Sequence, residues 1–395
     1  MISRPALASI LVLALASSHC LAAQGWALSG APITNWLSIV SSADGSKLVA
    51  CSTGGGVCVS TNAGQTWATN TIETDLAALA ASADGMRLAA VGHNGRIYTS
   101  NDGGTTWFPT RAPVTNWSCI ASSADGVRLA AAGSPVAFDF SPGLVYVSTN
   151  SGADWALTSA PDQRWTSLAF SQDGARLVAA CSNRWVSSGS IYVSADAGMN
   201  WMPSGAPAES WIDVVCSADG LRLAAGIESG TEVYISEDAG STWVQPSRPY
   251  GSSWWAFACS ADAGLLVALD GCCLSFSAEW GNTWTSNSAP DICNWNKITS
   301  SADGCRLAGC VGWRGGGIYT WQTTPHPVLN VVTHGTSLLL SWVVPSMAFV
   351  LQQSSELDAE WADVPTTPVL NYTNLHYEVN LATPNGTVFY RLASR

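Results

Sequence analysis

The feature that most constrains this chain is a turn of the form S-x-(N/D/E)-x-G-x-x-W that occurs six times. The copies run Ser60 to Trp67, Ser100 to Trp107, Ser148 to Trp155, Ser194 to Trp201, Ser236 to Trp243 and Ser277 to Trp284. Their tryptophans are 40, 48, 46, 42 and 41 residues apart. A second motif, S-x-D-G or a close variant, alternates with the first. It is centred on Asp44, Asp84, Asp125, Asp173, Asp219, Asp262 and Asp303. Eight residues before these stand Trp36, Leu76, Trp117, Trp165, Trp211, Trp254 and Trp295. Asp-Gly between apolar runs marks a tight turn, because glycine tolerates positive φ and aspartate bonds its own backbone.

Each unit therefore reads as a four-strand antiparallel meander, and strand-rich units at this period are expected to be propeller blades. Seven first strands face only six glycine turns. The mismatch resolves when Gln24 to Trp36 is aligned with Met199 to Trp211 and Asn282 to Trp295. The segment around Trp26 becomes an outer fourth strand with no blade of its own, and the unit starting at Trp295 lacks one. The expectation is an all-β, seven-bladed propeller over residues 24–324, closed by its N-terminal strand so that the seam leaves no long bare edge.

Residues 1–23 read as a cleaved secretory signal: Arg4, an apolar run of 11 from Ala6 to Ala16, and Leu21-Ala22-Ala23 as the cleavage site. That run is too short for a bilayer, which takes about 20 residues. The expected location is therefore secreted, periplasmic or cell-surface. Charged residues make up 11% of the chain and the net charge is −12. Without basic clusters, that balance argues against nucleic acid and anionic membrane as partners. Membrane insertion is not expected, and a monomer is.

Cysteine usage divides. Cys51, Cys181 and Cys310 end second strands, and Cys119, Cys216 and Cys259 lie on first strands where sister units carry small apolar residues. These read as small buried hydrophobes. Cys51 with Cys58, across a glycine-rich hairpin, and Cys272 with Cys273 are the candidates for oxidation. The chain has no C-x-x-C, no histidine cluster and no metal-ligand spacing, so neither metal nor cofactor is expected.

After Pro325-His326-Pro327 the pattern changes to short apolar or alternating runs at 337–342, 349–355, 377–381 and 388–392. Residues 325–395 are expected to form a small β-sandwich. The L-S-W, Q-Q-S-S-x-L…W and F-Y-R-L segments resemble the fibronectin-type-III-like modules that close many secreted bacterial proteins. That resemblance implies a spacer or attachment role.

The six glycine turns resemble the Asp-box, or bacterial-neuraminidase, repeat. The propeller half is similar to the Asp-box propellers of sialidases, photosystem II assembly factors and sortilin-type receptors. The resemblance implies architecture and not activity. Sialidases add an Arg-Ile-Pro segment and three arginines that grip a carboxylate. Here no arginine lies between Arg4 and Arg87, and Arg-Ile-Pro is absent. Arg87, Arg128, Arg176, Arg222 and Arg306 share one place after the S-x-D-G turn, as Lys47 does, and read as structural. A different two-carboxylate glycosidase stays open, with Glu228, Glu232, Asp139 and Asp270 on the face such a site would use.

Where the repeat breaks its own symmetry, a binding site is expected. From turn Asp to glycine-turn Ser the distance is 15 to 17 residues in five units, but 23 in the unit of Trp117 and 21 in the next. Both insertions fall between second and third strands, on the upper face, and insertions on one face of a repeat protein often mark the binding face. They carry Phe138, Asp139, Phe140, Arg184 and Trp185, with Trp313 and Arg314 a smaller counterpart in the last unit. An aromatic and charged set of this kind suits recognition. The recurrent tryptophan that opens each first strand reads as blade-to-blade packing. The functional expectation is a non-catalytic binding or scaffolding module for a glycan or an exported protein, with a glycoside hydrolase as the alternative.

Overall fold

The computed structural model describes residues 10–12, 25–72, 75–93, 95–134, 143–182, 189–228, 230, 232–246, 254–270, 272–287, 293–312, 316–325, 327–357, 359–384 and 386–394. The described residues are all-β, without a helix. Most of the chain forms consecutive antiparallel meanders, such as Trp36–Ser41, Leu48–Ser52, Gly56–Ser60 and Ala68–Thr71. Second strands are mostly apolar and buried on both faces, as Leu48–Ser52 and Leu88–Gly92 show. Fourth strands are short and exposed, only two residues at Phe108–Pro109, Ala156–Leu157 and Met202–Pro203. A short outer strand offers little template for edge pairing with another molecule. In the unit of Trp211 the fourth strand shrinks to a single bridge between Ile235 and Val244.

The meanders pack side by side through their first strands, which makes the architecture a β-propeller. Trp36, Trp117, Trp165, Trp211 and Trp295 are buried in the packing between sheets, so the recurrent tryptophan is a core residue. At the end we call lower, a backbone circuit links the S-x-D-G turns. Ala43 N–H donates to Ala83 O, Ala83 to Ala124, Ala124 to Gln172, Gln172 to Ala218, Ala218 to Ala261, Ala261 to Ala302, and Ala302 back to Ala43, at 2.7–2.9 Å. Near the chain's start, Ala27–Leu28 pairs antiparallel with Ile318–Gln322, in the sheet that begins at Trp295.

Both repeated turns owe their shape to one serine each. In the glycine turn, Ser100 Oγ donates to Asp102 Oδ1 at 2.8 Å and accepts from Gly104 N–H at 2.9 Å. Asp102 takes the Thr106 N–H, and Trp107 Nε1 donates to Gly104 O. Gly104 sits at φ 92°, in the left-handed region where a side chain is strained. Asn62 and Asn150 serve in Asp102's place in sister turns. In the lower turn Ser42 Oγ donates to Asp44 Oδ1 and accepts from Lys47 N–H. The arginines beyond these turns reach the next unit: Arg87 Nη1 to Asp125 O, Arg128 to Gly174 O, and Arg306 to Asp44 O. Their role is structural, as the repeat implied.

The C-terminal stretch folds as two sheets over one core of Leu338, Leu340, Trp342, Leu351, Val379 and Tyr390. One sheet holds Asn330–His334, Ser337–Val343, His376–Ala382 and Val369–Asn371. The other holds Phe349–Ser354, Val388–Ser394 and Ala362–Asp363, and Ile10–Val12 pairs parallel along Val388–Tyr390. The two sheets are not held at a distance from the propeller. Val344 and Leu375 pack among Ala43, Ala124 and Ala302 of the lower circuit. Leu375 is 4% exposed and takes φ 55°, and Ser346 N–H donates to Asp303 Oδ2 at 2.6 Å.

Cys51, Cys119, Cys181 and Cys310 are buried as expected, but the two oxidation candidates need correction. Cys51 and Cys58 are both buried thiols. Although they flank the same hairpin, Ala50, not Cys51, stands opposite Cys58 in the ladder. Cys51 and Val57, its own partner, are both buried in the core. Cys272 pairs with Cys293 and not with its neighbour Cys273, with Cα atoms 4.1 Å apart. The bond joins the hairpin before Leu274–Ser277 to the entry of Trp295–Ser300.

Candidate functional site at the upper mouth

Every first strand carries a β-bulge directly after its recurrent Trp or Leu, as the register shifts at Trp36/Ser38, Trp165/Ser167, Trp211/Asp213 and Trp295/Lys297 show. A bulge leaves one residue outside the ladder and re-aims it. Those residues are Leu37, Ala77, Ser118, Thr166, Ile212, Trp255 and Asn296. Three of them stitch a sheet to its neighbour. Ser118 Oγ donates to Trp165 O at 3.1 Å, Thr166 Oγ1 to Trp211 O at 2.9 Å, and Asn296 Nδ2 to Trp36 O at 2.6 Å. Trp255 departs from the pattern: it is 52% exposed. A large aromatic left in solvent at the mouth offers a stacking surface with little entropy to lose.

Beside these positions lies a cavity of about 210 Å³, lined by His93, Asn116, Ser118, Gln163, Arg164, Thr166 and Ile212. Asn116 Oδ1 lies 3.1 Å from His93 Nδ1. Ser134 and Gly143, which bracket the first insertion, also line it. Ser182, at the root of the second insertion, donates to Glu228 Oε2, and Arg164 Nη1 lies 3.4 Å from the same oxygen. The roots of both insertions thus converge on one mouth.

One step below, the bulges place Ser38, Ala78, Cys119, Ser167, Asp213, Ala256 and Lys297 at equivalent positions. Asp213 is buried, at 2% exposed. Its carboxylate accepts from Ser167 Oγ at 2.5 Å, Phe257 N–H at 2.9 Å and Lys297 Nζ at 2.9 Å. One side chain ties together four consecutive sheets. Burial pushes the nearby Cys119 thiol up to about 12, against the pull of Ser118 and Lys297. It is therefore a packing thiol and not a nucleophile.

The sequence-derived site residues Phe138, Asp139, Phe140, Arg184, Trp185, Trp313 and Arg314 lie outside the described residues. Of the four carboxylates considered for hydrolysis, Asp139 lies outside them too, as does the Asp270 side chain. Glu228 is held by Arg164 and Ser182. No group of three or more His, Cys, Asp or Glu that could hold a metal ion occurs among the described residues. Sequence reasoning missed His93, Arg164, Trp255 and the Asp213–Lys297 pair. The signal for Trp255 was present in the Trp254-Trp255 doublet, since only one of the two can fill the core position.

No family model and no curated protein matches the chain. Solved structures do share the fold. YCF48 from Cyanidioschyzon merolae is 14% identical with a TM-score of 0.58, covering 76% of this chain and 99% of that one. A structure described as YCF48 bound to D1 peptide is 17% identical with a TM-score of 0.58, covering 78% and 100%. The β-propeller domain of Cps50 (Swd1) from Myceliophteria thermophila is 14% identical with a TM-score of 0.57, covering 76% and 100%. At these identities the likeness is one of fold.

Proposed function

We propose that the chain is an exported, non-catalytic binding propeller of seven blades. Its N-terminal strand completes the last blade, residues 24–324 form the ring, and residues 325–395 form a β-sandwich beneath it. The pairing of Ala27–Leu28 with Ile318–Gln322 and the amide circuit through Ala43 and Ala302 support the closed ring. The ligand is a segment of another exported protein, met at the upper mouth. The observation that carries this reading is the convergence of the polar cavity, the roots of both insertions and exposed Trp255 on one rim. A neighbour of the same fold described as bound to a peptide is a precedent for this use of a propeller. Ser182 and Arg164 both engage Glu228 Oε2, which ties this carboxylate to the wall of the mouth.

The test presents the labelled full-length protein to peptide and glycan arrays, with Trp255→Ala and Trp185→Ala as variants. Binding to peptides, weakened about tenfold or more by Trp255→Ala, is expected for an aromatic anchor at an interface centre. Binding only to glycans would redirect the ligand class. Release of free sugar from the array, or binding indifferent to both variants, would overturn the reading.

A further inference from the structure

Three cysteines meet on the rim beside Trp255. Trp254 is the ladder partner of Asp270, so the hairpin that follows Asp270 rises next to Trp255. That hairpin carries Cys272 and Cys273 in succession, and Cys272 is bonded to Cys293. All three are exposed, and Cys273 is the exposed thiol among the described cysteines. The other described thiols are buried or half-buried in the blades.

We propose that this cluster is a thiol–disulfide exchange site with two interconvertible pairings, Cys272–Cys293 and Cys273–Cys293. The Cα atoms of Cys272 and Cys293 are 4.1 Å apart. Successive Cα atoms are about 3.8 Å apart, so Cys273 Cα lies within about 8 Å of Cys293 Cα. A disulfide spans about 4.4–6.8 Å between Cα atoms. A shift of one or two ångströms in an exposed hairpin tip is enough to exchange partners.

The step balances without any added oxidant or reductant. Cys273 loses its proton to solvent, and the thiolate attacks Cys293 Sγ. The Cys273–Cys293 bond forms as the Cys272–Cys293 bond breaks. The electron pair leaves on Cys272 Sγ, which solvent protonates. Exchange of this kind is favoured where thiol and disulfide are accessible together. Either pairing keeps the hairpin fastened to the entry of Trp295–Ser300, while the thiol presented beside the mouth changes place by one residue. The inference is independent of the ligand proposed above, because it concerns the chain's own sulfurs.

The experiment incubates the native protein at pH 8.5, pulses it with N-ethylmaleimide and quenches in acid. Peptic digestion at low pH then allows tandem mass spectrometry to place the label on Cys272 or Cys273. Label on Cys272 with a Cys273–Cys293 link is expected in about one chain in ten or more, the share left when one pairing is favoured tenfold. Protein held at pH 4 before labelling should retain its starting distribution, because the thiolate is scarce there. Cys273→Ser should show one pairing only and no label on Cys272. Label confined to Cys273 after prolonged incubation at pH 8.5, with Cys272–Cys293 intact throughout, would overturn the proposal.

Discussion

Asp213 shows how one residue can carry more than its repeat position suggests. A buried carboxylate is tolerated only when its charge is matched and its lone pairs are occupied. Ser167, Phe257 and Lys297 do both. Lys297→Met should therefore strand the charge. Losing the partner of a buried charge costs about 3–5 kcal/mol, and the 36% exposure of the lysine side chain moderates this to about 2 kcal/mol. Urea unfolding should show that loss, and adding Asp213→Asn should restore more than half of it. A neutral single variant would mean that the pair is not what holds these sheets together. Neither residue was legible as a pair in the sequence. They are 84 positions apart, and no local motif links them. Only the register of the bulges brings them onto one ring. The recurrent tryptophan was legible because it stands at the same place, eight residues before the turn Asp, in six of the seven units.

At the scale of the element, the glycine turn was fully legible, since its serine, carboxylate or amide, glycine and tryptophan each make a bond within eight residues. Its exceptions were less so. In the sixth copy Glu279 replaces the shorter side chain, and Trp280 takes φ 48° and sinks into the core at 2% exposure. The reduction of one fourth strand to a bridge at Val244 left no sequence signal that we recognise. The turns also set an acid limit. Hydrogen bonds from Thr106 hold Asp102 down to about 2, and the bonds of Asn200 and Thr242 lower Asp196 and Asp238 in the same way. A carboxyl depressed by folding contributes stability that is complete above its unfolded value and is lost as pH falls through its folded value. The window here runs from about pH 4 down to about 2. Because Asn62 and Asn150 do the same work without titrating, the triple variant Asp102→Asn, Asp196→Asn, Asp238→Asn should fold normally at pH 7. Acid titration followed by circular dichroism should place its unfolding midpoint at lower pH than wild type. An unchanged midpoint would assign acid sensitivity elsewhere.

Across the whole molecule, the C-terminal sheets form a floor under the propeller and are not a detached spacer. The apolar contact between Leu375 and the alanines of the lower circuit could not be read in advance. Those alanines look like filler in a turn, and Leu375 sits in a segment rich in Asn, Thr and Tyr. Replacing Leu375 with Glu would place a charge against Ala43, Ala124 and Ala302. Limited proteolysis around residues 325–327 should then speed up several-fold, while the propeller keeps its strand signature in circular dichroism. Cleavage at the wild-type rate would show that Leu375 does not hold the floor.

The amide circuit under the sheets has no first or last member. In a linear repeat array the end units touch one neighbour each, so they fray first. Around a closed circuit, losing any sheet opens two interfaces and leaves a donor on one side and an acceptor on the other. Such a molecule has no weak end at which to begin to unravel, and damage anywhere is shared at once by both adjacent sheets.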